Sequence, residues 1–396
     1  MKDNYIVLRS PRPATNDPFL GPLAGATSAP PSAPVVEVGE MERRDIPALT
    51  RSADVVAVAP SMPMRLIAPV EKQDAAGDGA QPAAAEIAWG VRAVKADTSP
   101  FTGDGVTVAV LDTGIDATHP AFAGVELVTR NFTGEADADL DGHGTHCAGT
   151  IFGRTTDNKR IGVATGVKRA LIGKVLGNKG GGSDQIASAI QWAVENGANV
   201  ISMSLGIDFP GFVKFLVEQQ GMRTEPATSL ALESYRANVQ LFERLASLVR
   251  AQAMFSRASI IVAAAGNESD RPNFEIAVSP PAVSEGIVSV AAVGQAGGSF
   301  SVAPFSNTFA NVAGPGVGIL SARRGGGFAV MSGTSMATPH VAGVAALWAE
   351  KIRKSAGTLN ASQLINRLIS SGTFDALAGG FDPADVGTGL VSAPQS

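Results

Sequence analysis

Four histidines in 396 residues leave few candidates for a general base: His119, His143, His146 and His340. Two of them stand in Asp141-Gly-His-Gly-Thr-His-Cys-Ala-Gly-Thr150. A His-x-x-His pair can hold zinc, but the usual zinc pattern sets its ligands on a helix with a Glu between them. Here Gly142 and Gly144 flank His143, which suits a helix entry with close backbone packing better than a metal helix. Acyl transfer asks for a different set: a nucleophile, a base for its proton, a group that orients the base, and donors for an oxyanion. Ser335 in Gly333-Thr-Ser-Met-Ala-Thr-Pro-His340 lies among small residues where a helix can start, and a helix start offers free N–H groups to an anion. Asp112 ends the apolar run Val108–Leu111, and Asn267 ends Ala263-Ala-Ala-Gly-Asn267. Singly, each is also an ordinary turn or capping residue.

The elements around these residues supply the means of bringing them together. Val106–Leu111, Ala170–Val175, Asn199–Met203, Ile260–Ala265 and Gly286–Val293 are continuous apolar runs, as expected of strands buried on both faces of a parallel sheet. Helix-length segments such as Asp184–Asn196 and Thr338–Lys351 alternate with them. That alternation predicts an α/β fold: a parallel sheet with helices on both faces, its site at the carboxyl ends of the strands. The 209–257 segment interrupts the rhythm; its apolar spacing fits one or two amphipathic helices, either an elaborated crossover or a cap near the cleft. Residues 1–85 differ in character. Seven prolines between 11 and 34 disfavour regular structure. Tyr5–Leu8, Val35–Val38 and Asp54–Val58 read as strands, Met41–Arg51 as helix, and Gln73–Gln81 as a flexible linker.

Four segments, Val110-Leu-Asp-Thr-Gly-Ile-Asp116, His143-Gly-Thr-His-Cys-Ala-Gly149, Ala264-Ala-Gly-Asn267 and Gly333-Thr-Ser-Met-Ala-Thr-Pro-His-Val-Ala-Gly343, resemble the motif blocks of subtilisin-like serine proteases. They follow that family's order of Asp, His and Ser. The resemblance runs from about Trp89 to a closing segment, Val386–Ala393. It implies a three-layer α/β/α catalytic domain over 86–396 and a serine endopeptidase acting through an acyl-enzyme. Ser335 would attack, His143 would carry the proton and Asp112 would orient the imidazole. The Asn267 amide and the Ser335 N–H would hold the oxyanion. It further implies that Ser204, Leu205 and Gly206, with Ala264, Ala265 and Gly266, wall the pocket before the cut. Gly180, Gly181 and Gly182 would line the other side and pair with an extended substrate. Val278 stands where the family often has Gly at the pocket floor, so small or medium apolar side chains are expected there.

The resemblance also sets expectations for cofactors and for the N-terminal region. The chemistry needs no cofactor and no metal. Family members often bind a structural calcium through an Asp after His-Pro, but Ala121 follows His119-Pro120 here and removes that ligand. The Asp157–Arg160 loop is left as a different place for one. Tyr5–Leu8 and Asp54–Pro60 resemble strands of the family's inhibitory propeptide, whereas Met64–Pro69 resembles the short inhibitory extension of intracellular subtilisins. On either footing residues 1–85 are expected to be a zymogen region, a small α+β prodomain-like unit and linker that occlude the cleft until self-processing; a disordered tail is the alternative.

Composition narrows the partners. A net charge of −5 without a long basic run argues against nucleic acid and a membrane surface, leaving polypeptide substrates and the N-terminal region itself. One cysteine, Cys147, excludes an intrachain disulfide. The N-terminal apolar run is too short for a classical secretion signal and no run approaches a membrane span. A cytoplasmic location is therefore expected, with non-classical export as the alternative. A peptide ligase or macrocyclase with the same triad, and a catalytically silent binding scaffold, are the competing functions.

Overall fold

The computed structural model describes residues 2–10, 35–74, 86–252 and 258–396; the Pro-rich 11–34 segment and most of the expected linker lie outside the described residues. Its centre is a sheet in the order Ser299–Val302, Ile287–Ala296, Ile260–Ala264, Val200–Met203, Thr107–Asp112, Arg169–Lys174, Glu126–Asn131. All of these neighbours pair in parallel except Ser299–Val302, and Val312–Pro315 adds a further parallel pairing to Ile287–Ala296. The predicted apolar runs occupy it. Val108, Ala109, Val110 and Leu111 are fully buried, as are Val200, Ile201 and Val262, because helices cover both faces. Val200–Met203, Ile260–Ala264 and Ile287–Ala296 follow in chain order on one side of Thr107–Asp112, while on the other the chain goes first to the edge strand Glu126–Asn131 and then returns to Arg169–Lys174 beside it; a crevice opens where the winding reverses.

Two buried helices meet beneath that crevice. His143–Phe152 is buried at every residue, and Thr334–Ala356 is buried over nearly all of its first four turns. Gly142 caps the first at φ +94°, a conformation a β-carbon resists. A Cβ on Gly144 would sit 2.2 Å from the Gly114 carbonyl oxygen, so this glycine sets how closely the helix approaches the end of Thr107–Asp112. The helix expected at Thr338 begins at Thr334 and carries Pro339 as its sixth residue. Ser183–Glu195 matches its expected range to within a residue.

Among its described residues the 209–257 segment carries two helices, Phe209–Glu218 and Thr224–Gln252. They close a small apolar cluster of their own around Leu216, Ala227 and Ala231. Among the described residues no helix is long and apolar enough to cross a membrane.

Lys2–Arg9, Val35–Glu42 and Val55–Pro60 form a separate antiparallel sheet with Lys2–Arg9 in the middle. The helix expected over Met41–Arg51 is replaced. The strand runs on through Glu42, and Arg43–Asp45 and Ile46–Leu49 make only single turns. Pairing with Lys2 and Asp3 draws Met41 and Glu42 into the ladder, and Pro47 is tolerated only in a first turn. Ile6, Leu8, Ala59 and Met62 are buried in the same core as the main body. Asn238 Nδ2 donates to the Pro60 carbonyl at 2.8 Å, and Arg43 reaches both Glu233 oxygens at 2.8 and 2.9 Å. The sheet thus sits on Ser183–Glu195 and Thr224–Gln252. Beyond it the chain enters the crevice.

Candidate active site

Pro63–Leu66 runs between two short strands, antiparallel to both. Met64 pairs with Gly181 and Ile207, Arg65 with Gly206, and Leu66 with Leu205. This is strand addition in the most literal form, with backbone ladders on either side. The Ile67 amide continues it, donating to the Ser204 carbonyl at 3.3 Å. A Cβ on Gly206 would lie 3.6 Å from the Ile67 side chain and 3.2 Å from Ser279 Oγ. Ile67 therefore lies beside Gly206, with Ser279 next to it. Further along, Val70 N donates to Ser332 O, and Glu71–Asp74 pairs with Phe328–Ser332, so part of the expected linker is strand.

The end of this segment meets the residues singled out for acyl transfer. Ser335 Oγ donates to the Ile67 carbonyl at 2.7 Å. Asn267 Nδ2 donates to the next carbonyl, Ala68 O, at 3.0 Å. The amide cannot swing away, because Asn267 Oδ1 accepts both the Thr334 N–H and the Thr334 hydroxyl at 2.8 Å. Ser335 is the second residue of its helix, where backbone N–H groups have no intrahelical partner. Pro339 has a second effect. Lacking an N–H, it leaves the Ser335 carbonyl without its helical partner. Ser204 Oγ donates to that oxygen at 3.2 Å, and Cys147 Sγ at 3.4 Å. The helix start is therefore anchored to the sheet end.

His143 Nδ1–H donates to Asp112 Oδ1 at 2.8 Å, with both side chains buried. The same oxygen accepts the Thr113 amide at 2.8 Å. Burial, the largest single influence, pulls the imidazole pKa down, but the Asp112 carboxylate and the neighbouring Cys147 together raise it well above the ordinary histidine value. Nε2 is buried with no hydrogen-bond partner among the described residues. That is the nitrogen through which a general base would exchange a proton, in its unprotonated form.

The second histidine of the pair does something else. His146 Nε2 donates to the Ile319 and Ala329 carbonyls at 3.0 and 3.2 Å, and burial pushes its pKa down to about 3. The two rings are thus committed to different partners. Asp112, His143 and Cys147 are the one group of three ligand-type side chains whose atoms cluster among the described residues. Burial raises the Cys147 thiol, and the Asp112–His143 hydrogen bond already uses two of the three groups.

The other expected pocket residues lie on the neighbouring strands and loops. Leu205 and Gly206 are ladder residues, and Gly180 closes a tight turn with Gly177 before Gly181–Gly182. Ala264 ends its strand, Ala265 O accepts from Ser279 N, and Gly266 N donates to Thr334 Oγ1 at 3.2 Å. Val278 is buried and donates its amide to Thr308 O. Asp139 escaped the sequence reading. Its Oδ1 accepts Thr113 Oγ1 and the Gly142 amide; Oδ2 accepts the Thr145 amide and hydroxyl. It ties the Asp112 strand to the His143 helix. The signal was a carboxylate just upstream of a helix start, lost in the acidic run Asp137–Asp141.

Comparison with known proteins is consistent in direction. Residues 103–379 match the model of the subtilase family. An intracellular serine protease of Paenibacillus polymyxa is 35% identical over 273 residues, covering 66% of this chain and 72% of that protein. Subtilisin DY of Bacillus licheniformis is 34% identical over 297 residues, 72% and 92% of the two chains. Subtilisin Savinase of Lederbergia lenta is 32% identical over 312 residues, 77% of this chain and 100% of the other.

Proposed function

Because the chain belongs to the subtilase family and is a serine-type endopeptidase, we propose that Asp112, His143 and Ser335 are its triad and that residues 1–85 restrain it as a zymogen. The observation that carries this reading is the polypeptide strand in the crevice, its Ile67 carbonyl on Ser335 Oγ.

In the proposed reaction an extended polypeptide takes the place of Pro63–Leu66. Ser335 Oγ bonds to the scissile carbonyl carbon as its proton passes to His143 Nε2. Asp112 holds the imidazole by Nδ1 and stabilises the imidazolium. The developing oxyanion is met by Asn267 Nδ2 and the Ser335 N–H. Collapse breaks the C–N bond, and His143 gives its proton to the leaving amine. Water repeats the sequence on the acyl-enzyme and frees the acid. No step requires a metal or cofactor.

The N-terminal region supports the zymogen reading by its position in the same cleft. Purified wild type and Ser335→Ala, incubated in parallel, test both ideas by mass spectrometry of their N-termini. Trimming in the wild type alone is expected, and product masses from an added peptide distinguish hydrolysis from joining. Identical, untrimmed chains with no cleavage of the peptide would overturn the reading. For compartment we infer an intracellular site, supported by the name of the P. polymyxa relative. Recovery of the protein only from the medium of intact cells would contradict it.

A further inference from the structure

Arg65 projects from the cleft strand between two carboxylates. Its Nη2 lies 3.0 Å from Glu268 Oε1, and its Nη1 lies 3.3 Å from Asp208 Oδ1. Each acid is fixed by groups other than Arg65. Asp208 caps Phe209–Glu218, with Oδ1 accepting the Gly211 amide at 3.1 Å. Glu268 Oε2 accepts Asn307 Nδ2 at 2.8 Å, and Asn307 Oδ1 accepts the Glu268 amide at 3.0 Å. The pair is therefore preformed. Beside it lies a hollow of about 300 Å³ whose walls include Phe209, Leu232, Tyr235 and Ile276, a place for an aliphatic stem.

Arg65 is two residues before Ile67, the residue lying beside Gly206. Side chains at i and i+2 of a strand share a face, so any polypeptide in this register presents its own residue to the two acids. We infer that Asp208 and Glu268 form a specificity subsite selecting arginine, and less strongly lysine, two residues before the pocket-filling residue. A forked guanidinium reaches two separated carboxylates at once; a single ammonium does not. The substrates selected are polypeptides pairing a basic residue with an apolar one two positions later. This rests on the proposed endopeptidase reading and names what that cleft prefers.

The size of the effect follows from exposure. The Arg65 side chain is 45% exposed and the acids 28% and 36%, so each pair is a surface pair, and together they give about a three- to tenfold preference. The test is internal competition. Peptides identical except for Arg, Lys, Ala or Glu at that position are mixed in one reaction with the full chain, and products are counted by mass. The ratio of kcat/KM values then does not depend on the fraction of chains active. Arg over Ala by about three- to tenfold is expected, with Glu disfavoured and the spread compressed in 1 M salt. Asp208→Asn with Glu268→Gln should bring the Arg/Ala ratio near one. Asp208→Lys with Glu268→Lys should invert the order toward Glu, which a merely structural role would not do. An Arg/Ala ratio within twofold of one in the wild type, with the Ala peptide cut, overturns the subsite and spares the endopeptidase. Failure to cut any peptide overturns both.

Discussion

Met64→Ala should open the restrained cleft far more often than the wild type does. Met64 is 2% exposed and lies in the ladder between Gly181 and Ile207. Released from the cleft, its side chain is in water, so truncation penalises only the occluded state. Replacing a buried Met by Ala costs about 2–5 kcal/mol. An open hollow of about 380 Å³ runs along Pro63–Leu66, so water relieves part of the void and the lower end applies, about 2–3 kcal/mol. At about 1.4 kcal/mol per tenfold, the open population rises roughly 30- to 150-fold. A fluorophosphonate that reacts at Ser335 only when the cleft is open reads this as an initial labelling rate, taken before any trimming is visible. Val38→Ala, on an exposed strand position, serves as the control and should stay within about twofold. Equal labelling of Met64→Ala and wild type, with both chains folded, would refute the idea that this strand holds the cleft shut.

Asn267→Ala should keep the fold and peptide affinity but lower turnover by about 10²–10³, the size known for the equivalent amide in a subtilisin and so borrowed for this chain; unchanged turnover would remove Asn267 from the oxyanion site. Asp112→Asn should leave a folded chain with turnover lower by about 10⁴, because the imidazole loses both its tautomer and the carboxylate that raises its pKa. A loss under tenfold would count against the triad. A chelator should leave thermal stability unchanged. Where family members often place a calcium ligand, Ala121 O instead accepts the Arg154 amide at 2.7 Å, and the Arg154 guanidinium donates to Phe152, Thr165 and Val167 carbonyls. Arg154→Met should cost roughly 2–3 kcal/mol, and a melting temperature that falls with EDTA would reveal a cation after all. Stability should also fall as pH drops from 6.5 to 5. Burial holds His146 and His340 neutral, at about 3 and about 4, while the unfolded chain takes up two protons near 6.5. Their contribution is complete above pH 6.5, and its slope approaches about 2.7 kcal/mol per pH unit once both unfolded-state imidazoles are charged. Flat denaturant midpoints for Ser335→Ala across that range would mean the two rings are charged in the fold.

The five inner strands of the central sheet were legible because burial on both faces makes each a largely apolar run, whereas Glu126–Asn131 and Ser299–Val302, partly exposed at the two edges, carry no such signal. The chemistry was legible where small residues surround a reactive one, since Gly144 and Gly333 have no room for a side chain. What escaped is pairwise and long-range. Met64–Pro69 was legible only through its resemblance to an inhibitory extension; its own composition does not distinguish a surface loop from a strand between 181–182 and 205–207, which depends on two edges some 115 and 140 residues away being left a strand short. Met41–Arg51 was misread because helix-forming composition counted for less than a partner strand at Lys2–Arg9. Asp139 was hidden because a capping carboxylate and a solvated one look alike in an acidic run.

With Ser335 as the proposed nucleophile, the same geometry explains how a peptide can rest on it without being cut. Ile67 keeps the backbone register of a substrate, its amide on Ser204 O, yet Asn267 donates to the carbonyl of Ala68, one residue further on. The Ser335 hydroxyl spends its hydrogen on Ile67 O, while His143 Nε2, where that proton must go for attack, is left without a partner. Attack on the Ile67 carbon requires two exchanges together: the hydroxyl hydrogen turning to Nε2, and the Ile67 oxygen moving onto the Asn267 amide. Pro69 bears on the second, because it confines Ala68 to extended backbone and so restricts how the two carbonyls can be re-aimed. Restraint is then a matter of which carbonyl the oxyanion donors grip, and a substrate lacking a proline at that point is free to offer the right one.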